Sequence, residues 1–264
     1  MTFFEAIFLG FLQGATEFLP VSSSGQLAVA EHFLNLKIAP ATLQIFDVFL
    51  HSATLAALIF IFRTEVLNLT KVVFAPKKST AADRKFFLQI AIAVAPALFL
   101  GAIFAATNFE MPRETNSLAA AFLFSATLFF ASEFFARGNL KKVNLRAAIL
   151  IGVLQSFALF PGVSRSGSCV SAGLFAGLSR ENAARFAFFL AIPVIAAATG
   201  WGILNLPENF AAVFPMKILF AGIISSFFSS LFFAQFLLKI FRRISLRPFA
   251  IFLIFEAGFL LLKN

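Results

Sequence analysis

Two short polar units interrupt an otherwise apolar sequence, and they contain the residue types that chemistry on phosphate would need. The first unit spans residues 13–26 and reads QGATEFLPVSSSGQ; the second spans residues 160–168 and reads FPGVSRSGS. In both units a proline that breaks the helix is followed by serines and a glycine that can begin a new helix. Because free N–H groups at the start of a helix bind anions, the two units together could hold a phosphate or a diphosphate.

An arginine and a glutamate in these apolar surroundings are the first candidates for catalysis, because charged side chains inside a membrane segment are costly. The planar guanidinium of Arg165 suits phosphate oxygens in bidentate geometry, and a structural ion pair with Glu17 is the alternative. Glu17 could act as a general base, orient a water molecule or bind a divalent cation. Gln13 lies four residues earlier on the same helix face, and these two residues would form only a partial metal site.

The serines and their neighbours have separate predicted roles. Ser23 lies close to the carboxylate and inside the anion-binding unit, so it is the predicted nucleophile. Asp47 and His51, four residues apart, either line the site or form hydrogen bonds between helices. The remaining hydroxyl, amide and glycine positions are expected to cap helices or to contact the ligand. The predicted substrate-binding set is Gln13, Ser22, Ser24, Gly25, Gln26, His51, Ser164, Ser166 and Gly167.

The rest of the chain has the composition of a helical membrane protein. Of its 264 residues, 60% are hydrophobic and 12% are charged, and the mean hydropathy is +0.94. Soluble proteins carry about 25% charged residues, so the composition disfavours both a soluble enzyme and a disordered chain. At about 20 residues per crossing, the apolar stretches predict six full crossings. These lie at residues 42–62, 86–105, 117–136, 185–205, 216–238 and 246–262.

The basic residues predict the orientation of the chain. Fourteen of the 21 Lys and Arg residues lie in segments 63–85, 137–146 and 239–247, which the positive-inside rule places in the cytoplasm. Orientation therefore accounts for most of the basic residues behind the formal net charge of +9, and nucleic acid is not expected as a partner. With this topology, segments 3–36 and 147–178 must each begin and end on one side, as re-entrant helix hairpins.

The two halves of the chain predict an internal repeat. GFLQ at residues 10–13 corresponds to GVLQ at residues 152–155, and SSSG at 22–25 corresponds to SRSG at 164–167, both with an offset of 142 residues. Three long apolar segments follow each unit. The sequence thus predicts a single all-α membrane domain with an inverted-topology repeat, whose site lies where the broken helices meet. The domain is residues 1–264, with repeat one at 1–136 and repeat two at 147–264.

Both signature regions resemble those of the undecaprenyl-diphosphate phosphatase family, the BacA or UppP type. GATEFLPVSSSGQL at residues 14–27 resembles the family's FLPVSSxGH region, PGVSRSG at 161–167 resembles its PGxSRSG, and FDVFLH at 46–51 also agrees. The resemblance implies a multi-pass enzyme of the bacterial inner membrane, with a site open to the periplasm. Its substrate would be the polyprenyl diphosphate lipid undecaprenyl diphosphate. Loss of the terminal phosphate would give the lipid carrier for peptidoglycan synthesis and confer bacitracin resistance.

The resemblance also implies roles for individual residues and a divalent cation, Mg²⁺ or Ca²⁺, as cofactor. The family's pattern usually has a histidine where this chain has Gln26, and glutamine cannot carry a proton near pH 7. Either that histidine is dispensable, Glu17 or His51 substitutes for it, or turnover is slow. The motif match assigns the [E/Q]xxxE pair to Gln13 and Glu17, the nucleophile to Ser23, and the phosphate-binding SRS to Ser164, Arg165 and Ser166.

Other mechanisms and functions remain open at this stage. A water molecule oriented by Glu17 could attack phosphorus directly in place of Ser23. Inverted repeats with broken helices are also the architecture of transporters, so the same anion site could carry a polyprenyl phosphate across the bilayer. A catalytically inactive binding protein is a third alternative, suggested by Gln26.

Overall fold

Helices form most of the chain in a computed structural model that describes every residue except 37, 108, 110, 137, 208–214, 242 and 263–264. At residues 40 and 41 it describes the backbone alone, and Arg137 and Arg242 of the predicted cytoplasmic segments lie outside the described residues. The described part contains eleven α-helices and no β-strand, which confirms the all-α prediction. The helices are Phe3–Thr16 (α1), Ser23–Phe33 (α2), Pro40–Ile61 (α3), Arg63–Phe74 (α4), Ala81–Ala106 (α5), Thr115–Phe134 (α6), Leu145–Ser156 (α7), Arg165–Phe175 (α8), Arg180–Leu204 (α9), Met216–Ile240 (α10) and Arg247–Leu262 (α11).

Five of the described helices are long and apolar enough to cross a membrane. They contain the spans Thr42–Ile61, Ala81–Ala106, Thr115–Phe134, Arg180–Leu204 and Met216–Ile240. The sixth predicted crossing, 246–262, forms α11 with only 16 residues, which is shorter than the roughly 20 residues of a full crossing.

A buried ion pair explains where α11 begins. Arg180 donates to both carboxylate oxygens of Glu133 at 2.5 Å. The same carboxylate accepts the backbone N–H of Leu246 at 2.8 Å, one residue before α11. A buried carboxylate needs such partners, so the chain is fixed at this point by Glu133 and the helix starts after it.

In both polar units one helix ends and another begins, as the sequence predicts. α1 ends at Thr16, and α2 begins at Ser23 after the cap residue Ser22. α7 ends at Ser156, a single 3-10 turn follows at Phe157–Leu159, and α8 begins after the cap residue Ser164. Each of these four helices has 14 residues or fewer, so none alone spans a bilayer. Their re-entrant path in a membrane stays a prediction.

Corresponding helices of the two halves make equivalent contacts, as a repeat would. α1 packs on α10, and its counterpart α7 packs on α5. α3 also packs on α10, and its counterpart α9 also packs on α5. A Cβ atom at Gly10 would collide with the backbone of Gly222 in α10, and one at Gly152 would collide with the backbone of Ala93 in α5. The absence of a side chain at Gly10 and Gly152 therefore permits the same close approach of helices in each half.

Candidate active site

The carboxylate of Glu17 lies at the centre of the site and joins the two polar units. Its Oε1 accepts a hydrogen bond from Arg165 Nη2 at 2.5 Å. Its Oε2 accepts from Ser23 Oγ at 2.6 Å and from Gln13 Nε2 at 2.8 Å. Glu17 is only 7% exposed, and a buried carboxylate requires a cation and hydrogen-bond donors of this kind. The structure thus brings the three predicted catalytic residues into direct contact.

The ends of three helices position the catalytic side chains. Glu17 follows the last residue of α1, while Ser23 and Arg165 are the first residues of α2 and α8. Ser22 has φ 64° and ψ 93°, a backbone conformation that costs a non-glycine residue roughly 1–3 kcal/mol and persists only when its surroundings enforce it. The hydroxyl of Ser22 accepts the N–H of Gly25 at 3.3 Å. This turn directs the Ser23 hydroxyl back toward the carboxylate that precedes it.

The second polar unit repeats the capping arrangement. Ser164 Oγ accepts the N–H of Gly167 at 3.2 Å, and the N–H of Ser164 donates to Ser125 Oγ at 3.1 Å. Ser166 Oγ donates to the carbonyl oxygen of Leu19 at 3.0 Å, so it ties α8 to the first unit. The hydroxyls of Ser22 and Ser164 are therefore engaged as helix caps, and the first N–H groups of α2 and α8 have no acceptor within their own helices.

Two glycines of the predicted substrate-binding set make room for aromatic rings. A Cβ at Gly25 would collide with the ring of Phe122, and one at Gly167 would collide with the ring of Phe129. Both phenylalanines belong to α6 and are fully buried. The packing of α6 against both polar units thus requires glycine at both positions, whereas contact of Gly25 and Gly167 with a ligand stays a prediction.

α3 contributes a histidine and a threonine to the site. His51 Nε2 lies 3.6 Å from Glu17 Oε2, and His51 Nδ1 lies 2.7 Å from the carbonyl oxygen of Asp47. Thr54 Oγ1 accepts from Gln13 Nε2 at 3.4 Å. Thr54 was not among the predicted site residues, although its spacing of seven residues from Asp47 and three from His51 places it on the same helix face.

Gln26 points to a neighbouring helix. Its Nε2 donates to Glu256 Oε2 in α11 at 2.6 Å and to the carbonyl oxygen of Val21 at 3.1 Å. It therefore connects α11 to the strained turn that precedes Ser23, and its predicted contact with substrate is untested. Glu256 was not among the predicted site residues; a lone carboxylate in an apolar helix was the available signal.

The structure offers only part of a metal site. Within the described residues, no group of three or more His, Cys, Asp or Glu side chains is close enough to hold an ion. Both oxygens of Glu17 already accept hydrogen bonds, and the buried Oε1 of Gln13 has no partner. A divalent cation here would need most of its ligands from the bound molecule and from water.

Comparison with known proteins gives one consistent result. The family model described as bacitracin resistance protein BacA matches residues 6–259. A relative from Syntrophotalea carbinolica is 37% identical over 96% of this chain and 95% of its own length, and one from Treponema denticola is 36% identical over 96% and 94%. A third, from Korarchaeum cryptofilum, is 35% identical over 93% of both chains. All three are named undecaprenyl-diphosphatase.

Proposed function

Because the chain belongs to the family of the bacitracin resistance protein BacA, we propose that it is an undecaprenyl-diphosphatase that removes the terminal phosphate of undecaprenyl diphosphate. The observation that carries this proposal is one buried carboxylate, Glu17, in contact with both a serine hydroxyl and an arginine. A phosphatase that uses a serine needs a base for its hydroxyl and positive charge for the phosphate oxygens. Glu17 provides the base for the Ser23 hydroxyl, and Arg165 provides the positive charge.

The first chemical step follows from the hydrogen bond between Ser23 and Glu17. As Ser23 Oγ forms a bond to the terminal phosphorus, its proton passes to Glu17 Oε2. The anhydride P–O bond breaks, and undecaprenyl phosphate leaves with the bonding electrons. Glu17 passes this proton to the leaving phosphate and is again a free base. It then takes a proton from the water that attacks the phosphoserine and returns it to Ser23 Oγ as the bond from this oxygen to phosphorus breaks and inorganic phosphate is released. Direct attack by water held on Glu17 uses the same groups and is the competing path.

Arg165 supplies the charge that phosphoryl transfer demands. Its side chain is 12% exposed, so its charge acts in a medium that screens it weakly. Nη2 is bound to Glu17, and Nη1 lies 3.4 Å from the carbonyl oxygen of Ala187. A guanidinium has five N–H donors in a planar fork, so donors remain for the oxygens of the transferring phosphoryl group. The positive ends of α2 and α8 add to this charge.

His51 can share the proton that leaves the serine. Its Nδ1 must carry a hydrogen to bond a carbonyl oxygen, which leaves Nε2 as the nitrogen that faces Glu17. The lone pair of His51 Nε2 and the carboxylate oxygen of Glu17 repel each other unless one of the two groups carries a proton. His51 is therefore our candidate for the proton-carrying role that Gln26 cannot perform.

The cellular setting and the cofactor belong to the same proposal. The site would face the periplasm from a bacterial inner membrane, and the product would serve as a lipid carrier for peptidoglycan synthesis. Bacitracin resistance would follow from a larger supply of that carrier. A divalent cation, Mg²⁺ or Ca²⁺, held by Gln13 Oε1 and Glu17 together with the diphosphate, would neutralise phosphate charge.

The test is phosphate release from undecaprenyl diphosphate and farnesyl diphosphate by the purified protein, with and without a chelator. We expect E17Q and R165A each to lower kcat/KM by at least about a hundredfold. The matched controls are E5Q and R243A, which change the same residue types away from the site and should retain activity. Absence of phosphate release with every cation, together with movement of polyprenyl phosphate across liposomes, would instead establish the transporter.

A further inference from the structure

A cavity of about 340 Å³ opens at the far end of α3 from the candidate active site. Phe62, at the end of α3, lines it; eleven residues separate Phe62 from His51, or about 16 Å along a helix. α4, the start of α5, the start of α9 and the segment 141–143 complete the walls. The volume lies in the range of about 300–1,000 Å³ that small-molecule pockets have.

One side of this cavity is a continuous aromatic wall. The rings of Phe62 and Phe189 have centroids 5.6 Å apart, those of Phe86 and Phe189 are 5.2 Å apart, and those of Phe86 and Phe186 are 6.1 Å apart. Phe62, Phe186 and Phe189 are buried, while Phe86 is half-buried. A hydrocarbon chain that enters the cavity would therefore cover the exposed part of Phe86 and meet only the edges of the three buried rings.

The rim of the cavity is strongly basic. Arg185 pairs with Glu65 across the opening. Lys85, Lys141 and Lys142 also line it, and all three are exposed. None of these lysines forms an ion pair with another described residue, so the rim carries three uncompensated positive charges. A pocket with this rim favours a ligand that carries a phosphate.

We propose that this cavity binds an anionic phospholipid such as phosphatidylglycerol, with its phosphodiester on the lysine rim and the start of an acyl chain on the aromatic wall. Basic pockets between helices at the cytoplasmic side of a membrane recognise such headgroups. Segments 63–85 and 137–146, which border the cavity, are the ones whose charge predicts a cytoplasmic position. The proposal concerns a second site and stands whether or not the chain is a phosphatase.

The test compares two pairs of adjacent lysines that carry the same charge. Lys141 and Lys142 line the cavity, whereas Lys77 and Lys78 lie in the same basic end of the protein outside its lining. Native mass spectrometry of the full chain, in micelles with equal amounts of phosphatidylglycerol and phosphatidylcholine, measures the first bound lipid. We expect selective binding of phosphatidylglycerol, weakened about thirtyfold by K141Q/K142Q and unchanged by K77Q/K78Q.

Three results would overturn the proposal. Equal weakening by K77Q/K78Q would show diffuse charge attraction. Equal binding of phosphatidylcholine would show that the lysines do not select the lipid. Complete displacement of the lipid by inorganic phosphate at equal concentration would show that the aromatic wall contributes nothing. Phosphate release by K141Q/K142Q in neutral detergent should match the unsubstituted protein, which confirms that the variant is folded and separates this site from the active site.

Discussion

Replacement of Ser23 by alanine separates the two possible paths of hydrolysis. The substitution removes one hydroxyl, which donates a hydrogen bond to Glu17 Oε2 at 2.6 Å. Hydrogen bonds to charged groups contribute about 1.5–3 kcal/mol, and Glu17 keeps its contacts with Arg165 and Gln13. We therefore expect S23A to fold, with a modestly lower midpoint of thermal unfolding.

The expected effect on catalysis is much larger than the effect on stability. If Ser23 forms the phosphoserine, its loss should lower kcat by about a thousandfold or more, equivalent to about 4 kcal/mol of activation free energy. If water on Glu17 attacks directly, the base and the arginine remain in place and kcat should fall by less than about tenfold. The neighbouring hydroxyl is compared through S24A, because Ser24 Oγ lies 3.5 Å from Ser22 Oγ and forms no hydrogen bond with Glu17. As a predicted substrate contact, Ser24 can affect KM, but its loss should leave the formation of a phosphoenzyme intact.

The assay is phosphate release from farnesyl diphosphate by each purified variant, combined with acid quenching of labelled substrate to trap a phosphoenzyme. The unsubstituted protein and S24A should yield labelled protein, and S23A should not. Turnover of S23A like that of the unsubstituted protein would refute the assignment of Ser23 as nucleophile. Equal losses in S23A and S24A would show that the start of α2, and no particular hydroxyl, determines the rate.

Three further predictions follow from other contacts. His51→Gln should lower kcat about ten- to a hundredfold, since glutamine cannot share the proton that leaves the serine; an unchanged kcat would exclude this role of His51. E256L and Q26L should each lower kcat with little effect on KM. Because Glu256 acts through Gln26 on the turn before Ser23, the double variant should be no slower than either single variant. Additive losses would show that the two residues have independent roles. G10A should strongly lower the midpoint of thermal unfolding, because the added Cβ collides with the backbone of α10. The Cβ added by G258A meets no atom within 4 Å, so this variant should leave the midpoint unchanged or raise it slightly.

The local breaks and the central charges could be predicted from the sequence because they depend on neighbouring residues. Proline and serine near residues 20 and 161 determine where helices stop and restart. Glu17 and Arg165, in separate apolar segments, each require a buried partner of opposite charge. The ion pair between them, which the sequence left as the alternative to phosphate binding by Arg165, is present in the structure together with the serine contact.

The features that the sequence did not reveal depend on which distant helices pack together. The contact of Gly25 with a ligand stays a prediction, whereas the ring of Phe122 from α6, which a Cβ at this position would meet, was not foreseen. The contact of Gln26 with substrate also stays a prediction, and its hydrogen bond to Glu256, 230 residues away, was not foreseen. α11 begins one residue later than its apolar stretch predicts, directly after Leu246, whose backbone N–H donates to Glu133. No local pattern encodes these contacts, since each needs the register of two packed helices.

The differences between the two polar units favour hydrolysis over transport. At the constant offset of 142 residues, Ser23 corresponds to Arg165, and both begin a helix directly after a serine cap. Glu17 corresponds to Leu159, so only the first unit has a base. A carrier could use a buried carboxylate to couple the movement of protons, but it gains nothing from a serine hydroxyl held against that carboxylate as a nucleophile. A phosphatase gains from this asymmetry, because it must hold the phosphate with one unit while the other attacks it.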